Sequence, residues 1–370
     1  MTTSPSPLAI FRAKGIPHRR MEDWKYTDLR SVVDVKDVEQ RTNAVATRIE
    51  SHDSIELLNL AGDLPDWATQ RLNLFPAQSA MDAAARAFGQ SENIIWVRAD
   101  ANRAQPMRID YRSFGSSRIV LFVEELASLT LIETQNAKDE GFQNLSLSIF
   151  LGEGAQLTHV RCAPYTEKLV SVETVTVVQQ ANSKYRLHLV QGGGKLSRFE
   201  LNVELAGENA DVGLSGVTVV GDGAHADLTT HIDHKVGHTK STQLFKTVAS
   251  GKSRGIYQGK ITVREGADVS DSRQTAKGLL LGPRAEIDLK PELEILADDV
   301  KCAHGAAVGD LDKDSLFYLR ARGIPEAEAR ALLIRAFLEE AVEGVAREDI
   351  RASLWQFVEE GLARAIEAVP

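Results

Sequence analysis

The chain has 370 residues, of which 43% are hydrophobic and 26% charged, with a formal charge of −9 and two cysteines. That length predicts two or three globular domains, and the acidic balance argues against sequence-independent nucleic-acid binding, which needs a basic surface. No apolar run approaches the roughly 20 residues of a membrane-spanning helix, and nothing near the N-terminus has the length of a signal-peptide core. Cys162 and Cys302 stand too far apart in sequence to suggest a disulfide framework, so a reducing cytoplasm is the expected setting.

Residues 1–95 read as an N-terminal helical region, punctuated by Gly15-Ile-Pro17 and Gly62-Asp-Leu-Pro65. Asp66–Leu72 and Ala80–Phe88 have the spacing of short amphipathic helices. From 96 to 305 the period shifts from 3.6 to 2. Apolar, β-branched runs such as "RIVLFVEE", "SLSIFLG", "VSVETVTVVQQ" and "FELNVEL" follow one another with little that reads as helix between them. A turn phrase ending in alanine recurs before Ala155, Ala210, Ala224, Ala267 and Ala285. Many short strands separated by small-residue corners fit a sandwich, a barrel or a parallel β-helix. The recurring phrase favours the β-helix, with each coil returning to the same corner.

Residues 306–370 return to helix. Asp312 or Asp314 can cap a helix through Phe317 and Leu319 that Gly323 stops, and Pro325 opens the next. Leu333, Phe337 and Ala341 form one stripe, and Leu354, Val358, Leu362 and Ile366 another. Residues 310–370 hold 13 acidic and 8 basic residues. The region reads either as a cap on the β-core or as a docking surface.

Chemistry is sparse. Gln191-Gly-Gly-Gly-Lys195 fails as a phosphate loop, because Leu189 and Leu196 stand where Gly and Ser/Thr are required, and its glycines read as a tight turn. Asp298-Asp299, taken as strand neighbours, point to opposite faces and do not form an acid/base couple. The densest set of ligand-type residues is His225, His231, Asp233, His234 and His238. These suit zinc, iron or manganese. On a strand, however, His231 and Asp233 share one face and His234 takes the other, so a polar outer row is the alternative. A metal-dependent β-helix enzyme would be built on this cluster.

Cys302 and His304, at i and i+2 of an extended segment, leave the same face about 7 Å apart at Cα. Such a pair can ligate a metal, act as an activated nucleophile, or be a buried thiol beside a hydrogen-bonded imidazole. An iron–sulfur cluster usually takes about four cysteines, so this chain can lend ligands to a shared site but not hold one alone.

The stretches "SRGIYQGKITVREGADVSDSRQTAKGLLL" and "PELEILADDVKCAHGAAVGDLDKDSLFYLRARGIPEAEARALLIRAF" resemble the SufB/SufD family of iron–sulfur assembly scaffolds. "GGGKLSRFELNVELAGENADVGLSG" and "HRRMEDWKYTDLR" extend a looser likeness over most of the chain. The short length, few cysteines and "EDWKYTDLR" phrase are closer to the SufD branch. The resemblance implies a right-handed parallel β-helix between two helical regions, in a subunit that is not itself an enzyme. It implies pairing with a SufB-like chain and docking of a SufC-like ATPase on the C-terminal helices, around Phe317, Tyr318, Leu333 and Phe337. It also implies that His304, with Cys302 beside it, helps to build a transient cluster shared with the partner, none being held stably by the isolated chain. A homodimer of the isolated chain through an exposed β-helix edge is left open.

Overall fold

The computed structural model describes residues 5–39, 47–50, 55–60, 62–77, 79–89, 91–98, 105–136, 140–345 and 347–367. Seven helices lie among them. Four precede the body of the β-region: α1 (Pro7–Lys14), α2 (Val35–Glu39), α3 (Asp66–Leu72) and α4 (Ala80–Phe88). Three follow it: α5 (Lys313–Ala321), α6 (Glu326–Glu343) and α7 (Glu348–Glu367).

The strands begin with β1 (Thr47–Glu50), β2 (Ile55–Asn59), β3 (Ser91–Val97), β4 (Met107–Tyr111), β5 (Gly115–Val123) and β6 (Ser128–Gln135). They continue as β7 (Gly141–Leu151), β8 (Gln156–Ala163), β9 (Thr166–Gln179), β10 (Lys184–Gln191), β11 (Gly194–Leu205) and β12 (Asp211–Val220). The last six are β13 (His225–His234), β14 (Lys240–Ala249), β15 (Arg254–Val263), β16 (Asp271–Leu280), β17 (Glu286–Ile295) and β18 (Lys301–Asp310). Three strands therefore fall inside or across the stretch expected to be helical, and the solenoid runs five residues past 305.

From β3 onward, odd-numbered strands form one sheet and even-numbered strands the other, each coil giving one strand to each. Neighbours are parallel, except where β2 pairs antiparallel with β3 and β1 with β4, and they hold register apart from a bulge after Gly194 at the start of β11. The mainly β, parallel β-helix reading is thus the structure observed. Inward residues such as Leu145, Val175, Phe199, Leu228 and Tyr257 form one continuous core between the sheets. At roughly 1.5–3 kcal/mol for each large apolar side chain buried, this core is the main stabilising element.

The alanine phrase marks two corners, not one. Ala155, Ala210 and Ala267 sit where odd strands lead to even ones, and Ala224 and Ala285 sit at the opposite corner. Both corners bring the sheets together around a small buried residue, which is why the phrase has no single spacing. At the first corner, residues at φ near +60° stack coil upon coil: Leu126, Gly154, Asn182, Asn209, His238 and Val269. Each backbone N–H there that bonds across coils finds a carbonyl in the next, as Gly154 does with Ala181 and His238 with Asp268, both at 2.9 Å.

Helices cover the outer faces. Met81 and Phe88 of α4 pack with Phe142, Val172 and Leu196 on the odd sheet. Ile334 and Leu338 of α6, with Leu354, Val358 and Leu362 of α7, pack on Val190, Val219, Val248 and Leu279 of the even sheet. Asp312 caps α5 by accepting from the Asp314 and Ser315 N–H groups, and Gly323 at φ +88° ends the turn, as expected. The Ile366 side chain lies outside the described residues. No described helix is long and apolar enough to cross a membrane.

Candidate functional site

β18 is the last strand of the even sheet, bonded only to β16, and almost all of it is exposed. Cys302 is half-buried and packs against the end of the inner core. His304, two residues on, faces the same way, so the structure brings the pair together at the mouth of the solenoid. In register beneath them on β16 lie Ser272 and Gln274, both buried. Burial pushes the Cys302 thiol up, Asp271 pushes it the same way, and the Ser272 backbone N–H opposes them. The isolated chain therefore holds Cys302 as a thiol at neutral pH; a cation arriving there must displace its proton.

The histidine cluster is divided among different neighbours. His225 Nε2 lies 3.1 Å from Thr27 Oγ1 at the N-terminal segment. His231 faces outward, 3.0 Å from Thr262 Oγ1, and Asp233 on the same face takes both donors of Arg264 at 2.9 and 3.0 Å. His234 faces inward, hydrogen-bonded to Thr239 and Ser241, and burial lowers its pKa to about 4. His238 is an exposed corner residue with a positive φ. Among the described residues no group of three or more His, Cys, Asp or Glu is placed to hold a metal ion.

Gly192 and Gly193 make the turn between β10 and β11, as expected. Asp298 and Asp299 lie in a bend rather than a strand, so the opposite-face argument does not apply to them. Asp299 instead supplies the carbonyl that accepts the Val269 N–H.

Two constellations had no separate signal in the sequence pattern. The first is the segment Glu22–Thr27, which straps four strands of the odd sheet. Asp23 C=O accepts from Arg198 and Gln258, and the Trp24 ring lies 4.0 Å from the Arg198 guanidinium carbon. Tyr26 C=O accepts from Arg254, Thr27 donates to Asp227, and Glu22 pairs with Lys290 of β17. The second is a buried polar network within the early coils. Tyr111 donates to Glu133 at 2.5 Å; Glu133 and Tyr185 flank His159 at 2.5 and 2.9 Å; and Arg161 pairs with Glu173. Burial would raise Glu133, but His159 and Arg161 outweigh it and hold its carboxyl below the usual range. For Glu173 burial wins despite Arg161, and its carboxyl is raised. The 26-residue separations Glu133–His159 and His159–Tyr185 are two short of the 28-residue coil, so the ladder runs diagonally from coil to coil.

Of the residues expected to dock a partner, Phe317 is 73% and Tyr318 57% exposed on α5, a helix that buries no residue. Leu333 and Phe337 line a cleft between α6 and the β16–β18 edge. Phe337 is anchored there: its carbonyl accepts from Lys246 Nζ, which also lies 4.9 Å from its ring and pairs with Glu340 at 2.7 Å.

Residues 108–337 match the model of the family described as SUF system FeS cluster assembly, SufBD core domain. An iron–sulfur cluster assembly SufBD family protein of Synechocystis is 27% identical over 396 residues, covering 93% of this chain and 87% of its own length. The iron–sulfur cluster assembly protein SufD of Escherichia coli is 28% identical over 374 residues, covering 91% and 87%. The chloroplastic protein ABCI7 of Arabidopsis thaliana is 34% identical over 266 residues, covering 70% of this chain and 56% of its own.

Proposed function

From the premise that this chain belongs to the SufB/SufD family of iron–sulfur cluster assembly proteins, we propose that it is a SufD-like scaffold subunit whose open end forms half of an assembly site. The observation that carries this reading is the coincidence of two properties on one strand. β18 presents the only thiol–imidazole pair on one face of a strand among the described residues, and its outer edge has backbone groups left for pairing. An unpaired strand edge is a template for another chain. β17 ends the other sheet in the same way, and Ile295, Leu296 and Val308 are exposed nearby.

A SufB-like chain adding its strands there would cover Cys302 and His304 and supply the ligands a cluster still needs, since two side chains fall short of about four. The nascent cluster is cargo, released to a recipient, and the chain acts by holding geometry rather than by turning over a substrate. A SufC-like ATPase would dock on α5 and α6 through Phe317 and Tyr318. Movement of α6 would reach β16 and β18 across the cleft that Leu333 and Phe337 line. In the absence of a SufB-like chain the same edges would serve a second copy of this one. A reducing compartment such as the cytoplasm suits a protonated Cys302.

The test is cluster yield in the co-expressed complex of this chain with SufB-like and SufC-like subunits, comparing wild type with His304→Ala after confirming that both complexes assemble. The expected result is loss of the cluster with assembly intact. Full yield in His304→Ala would leave the chain a purely structural subunit, and truncation after Asp310 would then be the variant that abolishes assembly.

A further inference from the structure

On the inward face of the even sheet, β14, β16 and β18 stack Gln243, Gln274 and His304 in register, one per coil. The two glutamines are each 1% exposed. Gln243 Oε1 accepts from Thr230 Oγ1 at 2.8 Å and from Tyr257 Oη at 3.2 Å. The single Tyr257 hydroxyl proton is thereby committed, so the 2.8 Å contact between Gln274 and Tyr257 is a donation from Gln274 Nε2. Gln274 Oε1 is left buried with no partner, as is Gln243 Nε2 one rung further in; an amide oxygen has two lone pairs, so a donation from Gln243 would still leave one open toward β18. The space for this amide is made by Gly259, where any side chain would run into Gln274 Nε2 and Tyr257 Oη.

A buried amide oxygen without a donor is unfavourable and calls for an explanation. The next rung of the column is His304, one strand spacing (about 4.8 Å) away along the sheet. Histidines that bind metals generally donate their second ring N–H to a protein acceptor, which fixes tautomer and ring orientation; losing that acceptor typically weakens metal binding by about 10–100-fold.

We infer that Gln274 is the positioning residue for His304: its Oε1 accepts one imidazole N–H and turns the other ring nitrogen, with its lone pair, out of the solenoid toward the open end. This rests on the reading that His304 serves the assembly site. The geometry assigns Gln274 no contact with the cargo itself.

The test uses the full chain with 15N-labelled histidine at a pH where the imidazole is neutral. The His304 signals are identified by their loss in His304→Ala. Wild type is expected to show one dominant tautomer. Gln274→Met, close in shape but without the acceptor, is expected to show the mixture of a free imidazole. Gln243→Met, one rung further in, controls for general disturbance of the column and should leave the tautomer as in wild type. Equal tautomer ratios in wild type and Gln274→Met overturn the inference, as does an equal shift in both glutamine variants. In the co-expressed complex, Gln274→Met should then lower cluster yield about 10-fold or more. Full yield in His304→Ala would remove the assembly-site reading, while the tautomer measurement would still decide for or against the positioning role.

Discussion

The first and last coils of the solenoid are finished in different ways. At the N-terminal end β1 and β2 turn antiparallel onto β4 and β3, and α3 and α4 close over the strands that follow. At the C-terminal end β17 and β18 each have one neighbour, and their inward residues meet no further coil. β7 is buried along nearly its whole length, whereas β18, with the same backbone conformation, is exposed along nearly all of its own. Both ends leave edge strands with one neighbour, β1 and β2 at one and β17 and β18 at the other, so the difference lies in strand direction and in burial. Cys302 and His304 stand at the exposed C-terminal edge.

This contrast can be broken by experiment. The largest effect is expected inside the early coils: Arg161→Met leaves Glu133 and Glu173 buried without their shared cation, for a loss of about 3–5 kcal/mol in urea unfolding. A loss well under about 1 kcal/mol would mean that the network is not part of what holds those coils. Next come two residues paired in register on β15 and β17. Ile261→Ala, in the core, should cost about 2–5 kcal/mol, whereas Leu293→Ala, half-buried at the mouth, should cost less than about 1 in the isolated chain. Equal losses would show the last coil to be as well packed as the others.

A third effect follows pH. Burial holds the folded His234 pKa near 4, below the usual value of about 6.5, so the neutral form belongs to the folded state. Its stabilising contribution is complete above about pH 6.5 and is lost as pH falls toward 4, amounting to roughly 2 kcal/mol by pH 5. Urea midpoints at pH 7 and pH 5 should therefore converge in His234→Asn relative to wild type. His188, also lowered to about 4 by burial, leaves a residual dependence in the variant. The smallest effect belongs to the open end. His304→Ala should change the stability of the isolated chain by no more than about 1 kcal/mol, the worth of the one hydrogen bond inferred with Gln274, because the ring is otherwise exposed. A larger loss would make His304 a structural residue of the last coil.

Much of the architecture is legible in local chemistry. Alternating apolar runs give strands, the alanine phrase gives corners, and Asp312 and Gly323 give the ends of α5, because each depends on a residue and its near neighbours. β13 and β18 are harder to read, since their inward faces carry His234, Thr230, Cys302 and His304 where a core strand would carry aliphatic residues. Alternation correctly puts Cys302 and His304 on one face, and separates His234 from His231 and Asp233. It gives no depth along the stack, so it cannot tell that one pair ends at an open mouth while the other three are occupied by Thr262, Arg264, Thr239 and Ser241.

The sequence by itself determined the strand period, the small-residue corners, the helix caps and the thiol–imidazole pairing on one face. The tertiary structure alone decided that the corner phrase serves two corners and that Glu22–Thr27 straps four coils. It also decided that the buried charges Glu133, His159, Arg161 and Glu173 meet, and that Gln274 lies beneath His304. The physical reason is register. Contacts along a strand are fixed by the chain's own geometry, whereas contacts between coils depend on how many residues each corner takes up, and that is set by the whole stack packing at once.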